Sequence, residues 1–537
     1  MAETRHGATS ASGIVLLTLA SGQFLMTLDS SVMNVSIATV AKDVGTTVTG
    51  IQTAITLYTL VMASLMITGG KLGQILGRKR AFGIGCVIYG CGSFITAISK
   101  SLAVLIVGWS ILEGIGAALI LPAIVALVAS NFGPAERPRA YGLVASAGAI
   151  AVAAGPLIGG LFTTYASWRW VFVGEVLIVL AILAVARRIA DAPPDQRPRL
   201  DLVGTALSAV GLGLVVFAIL KAGAWGFVQP KPEAPRWLGL SPSIWLLLGG
   251  GVVLWLFFRW ENRQINSGGE PLINPSILLN RQLRGGLISF FFQYLLQAGL
   301  FFAVPLFLSV SLGLSAIATG VRLLPLSVTL LLAAAGIPKV FPNASPRRVV
   351  RIGFLALFAG IAVMVGALDA GAGPEIVTWP MLLAGLGIGA LASQLGSVTV
   401  SAVPDEQSAE VGGLQNTVTN LGASIGTALS GAVLISALTT SLIAGIQNNP
   451  AVPADLKSKA KTELASGVPF LSDKDLKAAL DDAGVPKDAA DAIVKENANA
   501  RLDALRSSLS VIAVIALMAL YFGGGIPPEQ PRGAPAP

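Results

Sequence analysis

Three carboxylic acids stand inside long apolar runs of this 537-residue chain: Asp29, Glu113 and Glu175. An ionised carboxylate near the middle of a membrane-spanning helix costs about 2.5 to 3.5 kcal/mol on insertion scales, so one that is kept there faces a wet cavity or a partner. The chemistry open to it is the loading and release of a proton. Asp29 and Glu113 are the clear proton-coupling candidates; Glu175, near the end of its run, either joins them, pairs with Arg169 or turns outward. A second set is neutral. Gln293, Tyr294 and Gln297 lie among Phe291, Phe292, Phe301 and Phe302, and Gln394, Asn416 and Asn420 follow; Asn34, Gln52 and Tyr58 are their counterparts in the first half of the chain. Mostly apolar sites with a few polar anchors hold small amphipathic ligands, the other use of such residues being hydrogen bonds between helices.

Other chemistries are excluded early. Cys86 and Cys91 are the only cysteines and fall on different faces of one run, and His6 is the only histidine, so neither a disulfide nor a metal site is expected. No cofactor motif is present, and no G-x-x-x-x-G-K-[ST] signals ATP as an energy source. No nucleophile, base and orienting group can be proposed together, so the chain does not read as an enzyme. The sequence pI of 9.6 comes without a basic face interleaved with stacking aromatics, so nucleic acid is not an expected partner.

The elements that must position these residues are spanning helices. Apolar residues make up 54% of the chain and charged ones 12%, which points to an all-α polytopic membrane protein. Apolar windows fall at 12–38, 50–69, 81–99, 102–129, 141–162, 170–187, 202–222, 243–259, 285–310, 318–338, 352–370, 379–403, 411–440 and 508–524, which is fourteen spans. The first contains Gln23 and Asp29 and reads as a retained span rather than a cleaved signal. Between the second and third lies a glycine-broken basic turn, Gly69 to Arg80, containing Gly70, Gly73, Gly77, Arg78 and Lys79. Cationic short loops stay cytoplasmic, so this clasp faces the cytosol and both termini follow it inside.

A repeat is visible as well. Sliding the chain by 271 residues places Gly114 on Gly385, Gly116 on Gly387, Gly142 on Gly413, Gly155 on Gly426 and Gly160 on Gly431. An even number of spans separates the copies, so they keep one orientation: two six-helix bundles in parallel pseudo-repeat, with two inserted helices between them. The offset carries Asp29 to Leu300 and Glu113 to Ala384, so proton work is expected in the first bundle alone. Segment 444–507 is the one sizeable polar insertion, with Pro453, Ser472 and Pro486 each placed to open a helix of an outer cap.

These motifs resemble the major facilitator superfamily, and within it the fourteen-helix drug:proton antiporters. The clasp resembles G-x-L-A-D-R-x-G-R-K-x: Gly70, Leu72, Gly77, Arg78 and Lys79 match, whereas Gly73, Gln74 and Ile75 stand where that pattern has alanine, aspartate and arginine. Asp29, Val32, Asn34 and Val35 match the span-1 signature D-x-T-I-V-N-V-A-L-P. Gly155, Pro156, Gly159 and Gly160 match the antiporter motif G-P-x-x-G-G, with Thr427 in place of Pro156 in the second copy. Trp168 to Phe172 is similar to the family's W-R-W-x-F. In span 4 the family's R-x-x-Q-G-x-G falls on Ser110 to Gly116, putting a serine at the coupling arginine and Glu113 at the glutamine.

The resemblance implies a proton-coupled exporter of amphipathic compounds, lipophilic cations among them, working by alternating access as a monomer in the plasma membrane with protons and lipids as its other partners. Export of an endogenous lipid or metabolite, and a non-transporting membrane sensor, are the alternative readings. The expected organisation is a tail to 11, a first bundle 12–188, a linker with the extra pair 189–260, a cytoplasmic linker 261–284, five helices 285–443, the insertion 444–507, a last span 508–524 and a tail 525–537.

Overall fold

The computed structural model describes residues 2–46, 48–189, 199–231, 234–369, 371–464, 468 and 470–530, apart from the side chains of some helical residues, Asn34, Gln52 and Pro156 among them. The order is α1 (Ala2–Asp43), α2 (Val48–Leu76), α3 (Arg78–Ala97), α4 (Leu102–Asn131), α5 (Arg137–Tyr165), α6 (Arg169–Ala186), α7 (Leu202–Trp225), α8 (Pro242–Asn266), α9 (Arg281–Ser311), α10 (Ala316–Val340), α11 (Pro346–Ala367), α12 (Thr378–Val400), α13 (Ser408–Asn448), α14 (Ala454–Glu463), α15 (Asp473–Asp482) and α16 (Lys487–Phe522). Among the described residues, thirteen of these are long and apolar enough to cross a membrane, and α5, with 29 residues, is a further long helix.

The packing is doubled. In the first bundle α1 lies on α5, α2 on α4, and α3 on both α4 and α6; in the second, α9 lies on α13, α10 on α12, and α11 on both α12 and α16. The bundles meet through exchanged partners, α5 against α10 and α13 against α2. Paired glycines hold the corresponding joints. A Cβ on Gly116 would stand 2.9 Å from Gly85 O in α3, and one on Gly387 2.6 Å from Gly353 O in α11. Gly142 closes on Ala334 of the other bundle and Gly413 on Met66, with 2.6 and 3.0 Å left to the carbonyl oxygens. Small residues let backbones approach this closely where lipid supplies no hydrophobic drive between helices.

The inserted α7 and α8 pack on each other, and α7 also touches α2 and α13. Asp201 caps α7 by accepting from Val203 N and Gly204 N and takes the Trp260 indole N–H of α8 at 2.7 Å. Helix α1 starts at Ala2, so residues 2–11 are helical, and the membrane-length apolar stretch of α1 opens at Gly13. The final span is the second half of the 36-residue α16, continuous with the third helix of the insertion. Ser472 and Pro486 do open α15 and α16, and Pro453 opens α14. Arg501, 2% exposed, ties the insertion to α16 through Leu471 O and Asp473, both at 2.5 Å.

Candidate functional site: a sealed acid cluster beside an uncharged cavity

Asp29 comes from α1, Glu113 from α4 and Glu175 from α6, and the fold brings one oxygen of each within 4.8 Å of the others, all in the interior of the first bundle. Glu113 ends a π-helical stretch, Ile106–Glu113, whose wider turn resets which face of α4 the side chain leaves from. Gly92 of α3 makes the room: a Cβ there would come within 2.7 Å of Glu113 Cγ. Each acid has one anchored oxygen. The Trp109 indole N–H donates to Asp29 Oδ1 at 2.7 Å, Thr96 Oγ1 to Glu113 Oε1 at 3.4 Å, and Ser93 Oγ to Glu175 Oε2 at 3.2 Å, with Tyr89 Oη at 3.4 Å from the same atom. The other three oxygens, Asp29 Oδ2, Glu113 Oε2 and Glu175 Oε1, are buried without a hydrogen-bond partner.

Glu175 neither pairs with Arg169 nor turns outward: it is 1% exposed, and Arg169 pairs instead with Asp43 at 2.9 Å. Ser110, at the place of the family's arginine, donates to Ala54 O at 2.8 Å and is fully buried. At a separation of about 4.8 Å and an effective dielectric constant near 20, two ionised carboxylates repel by roughly 3 kcal/mol. Three together are therefore suited to exchanging positive charge, protons included.

Between the bundles lies a cavity of about 770 Å³. Tyr58, Gln293, Tyr294, Asn416 and Asn420 line it. Gln297 faces a small side recess of about 60 Å³ shared with Gln293 and Tyr294. Gln394 does not reach the cavity; it is 1% exposed and its Oε1 accepts from Gln530 Nε2 of the C-terminal segment at 3.1 Å. The aromatic wall is also redrawn, since Phe290, Phe301 and Phe302 face the cavity while Phe292 stacks on Phe522 of α16 at 5.6 Å. Asn34, Gln52 and the Pro156 side chain fall outside the described residues; Gly155 closes on Ser31 and Gly159 on Val32, seating α5 against α1, and Gly160 is half-buried in α5.

Sequence reading missed Gln23, Thr27, Ser30 and Ser31 of α1 and Gln415 and Thr419 of α13, all on the cavity wall. The signal was there in the spacing: Gln23, Thr27 and Ser30 or Ser31 recur at one helical face, as do Gln415 and Thr419. The acids do not line the cavity. Tyr58 stands between: it faces the cavity and stacks flat on Trp109, with centroids 5.2 Å apart and planes 1° from parallel, and Trp109 in turn holds Asp29.

At the clasp the bundles are bolted together. Gly77 takes φ +94° to start α3, and a Cβ on Gly70 would meet Ala409 O at 2.5 Å, with Gly73 against Ala409 Cβ. Arg78 donates to Ala126 O at 3.5 Å and to Asp405 O, and Lys79 caps the end of α6 through Arg187 O and Ile189 O at 2.9 and 2.8 Å. The cross-bundle charge pair lies one loop away from where the motif would put it, between Arg137 and Asp405 at 3.0 Å. Tyr141, Gly396 and Gln415 floor the cavity on this side, and it runs from them toward Leu306 and Leu323 at the opposite face.

Two helical bundles in parallel repeat around a central cavity define a secondary transporter. The sequence profile of the Major Facilitator Superfamily matches residues 19–427, and the chain belongs to that family. It is 30% identical over 451 residues to the puromycin resistance protein pur8 of Streptomyces alboniger, covering 82% of this chain and 85% of that one. It is 28% identical over 436 residues to the tetracenomycin C resistance and export protein of Streptomyces glaucescens, covering 80% and 78%. Among solved structures the human organic anion transporter MFSD10 superposes with a TM-score of 0.58 at 12% identity, over 95% of this chain and 99% of that one, which supports the fold alone.

Proposed function

We propose that the chain exports small amphipathic compounds from the cell, drugs and antibiotics among them, in exchange for protons. It does so as a monomer in the plasma membrane with both termini cytoplasmic. The family and the resistance and export proteins it resembles support the drug-exporter reading. The observation that carries the coupling is the separation of tasks, with a sealed cluster of Asp29, Glu113 and Glu175 on one side of Tyr58 and Trp109 and a ligand-sized cavity on the other.

With the clasp on the cytosolic side, the Arg137–Asp405 pair and the glycine joints close the inside and the cavity faces out. Protons arriving from outside load the cluster and favour return of the emptied carrier; substrate from the cytosol drives the opposite swing. A ligand against Tyr58 is felt at Asp29 through the stacked indole. Lipid surrounds the exposed apolar faces of the helices.

The test is flux in proteoliposomes of the full chain under an imposed pH gradient. The wild type should drive a dye uphill, and Asp29→Asn should fall to the gradient-free rate. Uphill movement that persists after the proton-motive force is collapsed overturns the proposal.

A further inference from the structure

We infer that the linker between α8 and α9 is a second cytosolic gate: Leu272, Ile273 and Ile277 form an apolar wedge shared by the two bundles, and Glu261 and Glu410 are the positioning residues that pin it shut. The inference rests on the reading of the chain as an alternating-access carrier, and it adds to the clasp an element that must let go whenever the clasp opens.

Its first support is burial. Leu272 and Ile273 are each 1% exposed and Ile277 is 8% exposed, unlike an ordinary connecting loop, which runs over the surface. All three belong to one apolar cluster with Met66 and Ile67 of α2 and Val411 and Leu414 of α13. Both bundles thus share their core with the linker. A short 3-10 turn, Pro275–Leu279, fixes its shape, opened by Asn274, whose Oδ1 accepts from Ser276 N at 3.0 Å. Its far end is tied to the second bundle, where Asn280 Nδ2 donates to Ala402 O at 2.9 Å.

Its second support is how the wedge is held. Glu261 of α8, 0% exposed, accepts from Leu272 N at 2.8 Å, and Glu410 of α13, 8% exposed, accepts from Asn274 N at 2.7 Å. Hydrogen bonds to an ionised acceptor are roughly twice as strong as neutral ones. Glu410 follows Ala409, the residue on which Gly70 and Gly73 of the clasp close. Lys71 of the clasp, 7% exposed, lies within electrostatic reach of both acids. The two bundles, the inserted pair and the linker therefore meet at one node. When α13 swings away from α2, Asn274 must release Glu410 or follow it, and following it pulls the adjoining Leu272 from Glu261. One pin yields at every opening.

The experiment is maleimide labelling of the full chain in lipid nanodiscs, with Cys86 and Cys91 replaced by alanine and one reporter cysteine at a time. Gly73→Cys reports the clasp and Ile273→Cys the wedge; both should react slowly in the otherwise unchanged chain. Glu410→Gln should speed both reporters by about five- to tenfold. Glu261→Gln should speed both by about threefold or more. The second variant is the sharper one, because Glu261 stands on α8, which packs on α7 and the linker turn, and its carboxylate reaches the clasp through Leu272. Ile277→Ser thins the wedge with both pins in place and should raise both rates by about twofold, which keeps the test open if Glu261→Gln does not fold.

A clasp reporter that reacts quickly while Ile273→Cys stays sealed overturns the inference, since the linker would then be a fixed part of one bundle. So does a Gly73→Cys rate that neither Glu261→Gln nor Ile277→Ser changes. Labelling uses neither substrate nor gradient. A chain that shows the paired increases yet moves nothing against a pH gradient would sink the proposed antiport and leave the gate standing.

Discussion

In the first bundle the interior of α1, α4 and α6 holds Asp29, Glu113 and Glu175; at the positions 271 residues on from the first two, the second bundle has Leu300 and Ala384, both fully buried in its apolar core. The second bundle instead contributes amides to the cavity wall, Gln293, Gln415, Asn416 and Asn420. Asn416 and Asn420 each donate to a backbone carbonyl of their own helix, at 2.9 and 2.8 Å from Gly412 O and Asn416 O, and present the rest of the amide to the space between the bundles. One packing plan thus serves two chemistries. The backbone joints fix where helices can approach, whereas a side chain that points into a bundle can be swapped between carboxylate and alkyl without moving them.

The comparison is broken most severely by removing an acid from the first bundle. We expect Glu113→Gln to lower pH-driven flux by about a hundredfold while changing substrate binding little, and Asn416→Ala to do the reverse, weakening binding by about fivefold with coupling intact. Flux and calorimetry on both variants separate the cases; undiminished pH-driven flux in Glu113→Gln would remove that residue from the mechanism.

Equivalence of the two joints is tested next. Gly142→Ala places a Cβ 2.6 Å from Ala334 O, and Gly413→Ala one 3.0 Å from Met66 O, so both should disfavour the clasp-closed form, the first more strongly. Overpacking of this kind costs about 1 to 3 kcal/mol, read as increased labelling of a cysteine introduced beside Gly70. Labelling that rises in one variant and not the other would show the joints to be unequal.

The smallest effect is expected at the charge pair. Asp405 is 55% exposed and Arg137 10%, so solvent screening limits their pair to about 1 kcal/mol or less. Arg137→Ala should raise the same labelling by about fivefold at most, and by less in high salt. Insensitivity to salt would point to the backbone contacts of Arg137 with Phe132 O and Ala129 O rather than to the pair.

Much of this was legible in advance. Helix count, the doubled plan and the clasp follow from apolar run length, glycine periodicity and loop charge, each a local property of the chain. The misreadings share a cause. Glu175 was left open because its neighbour Arg169 is close in sequence, yet Arg169 reaches Ser99 O at 2.8 Å and Asp43, across the end of the bundle. Gln394 looked like a cavity residue because it is polar within an apolar run; its partner, Gln530, is 136 residues away. The last span and the third helix of the insertion form one continuous helix, a join that two separate windows of the sequence do not show.

What the sequence determined by itself is therefore the set of spans, their repeat and the presence of acids in one half, because lipid imposes length and composition on every crossing segment. What only the tertiary structure decided is which polar groups meet: that three acids from three helices share one buried pocket, that Tyr58 and Trp109 wall it from the cavity, and that no charged side chain among the described residues lines the cavity. The physical reason is that the side a helical residue faces is set by packing against distant segments and by register shifts such as the π-helical stretch before Glu113, neither of which leaves a trace in local spacing.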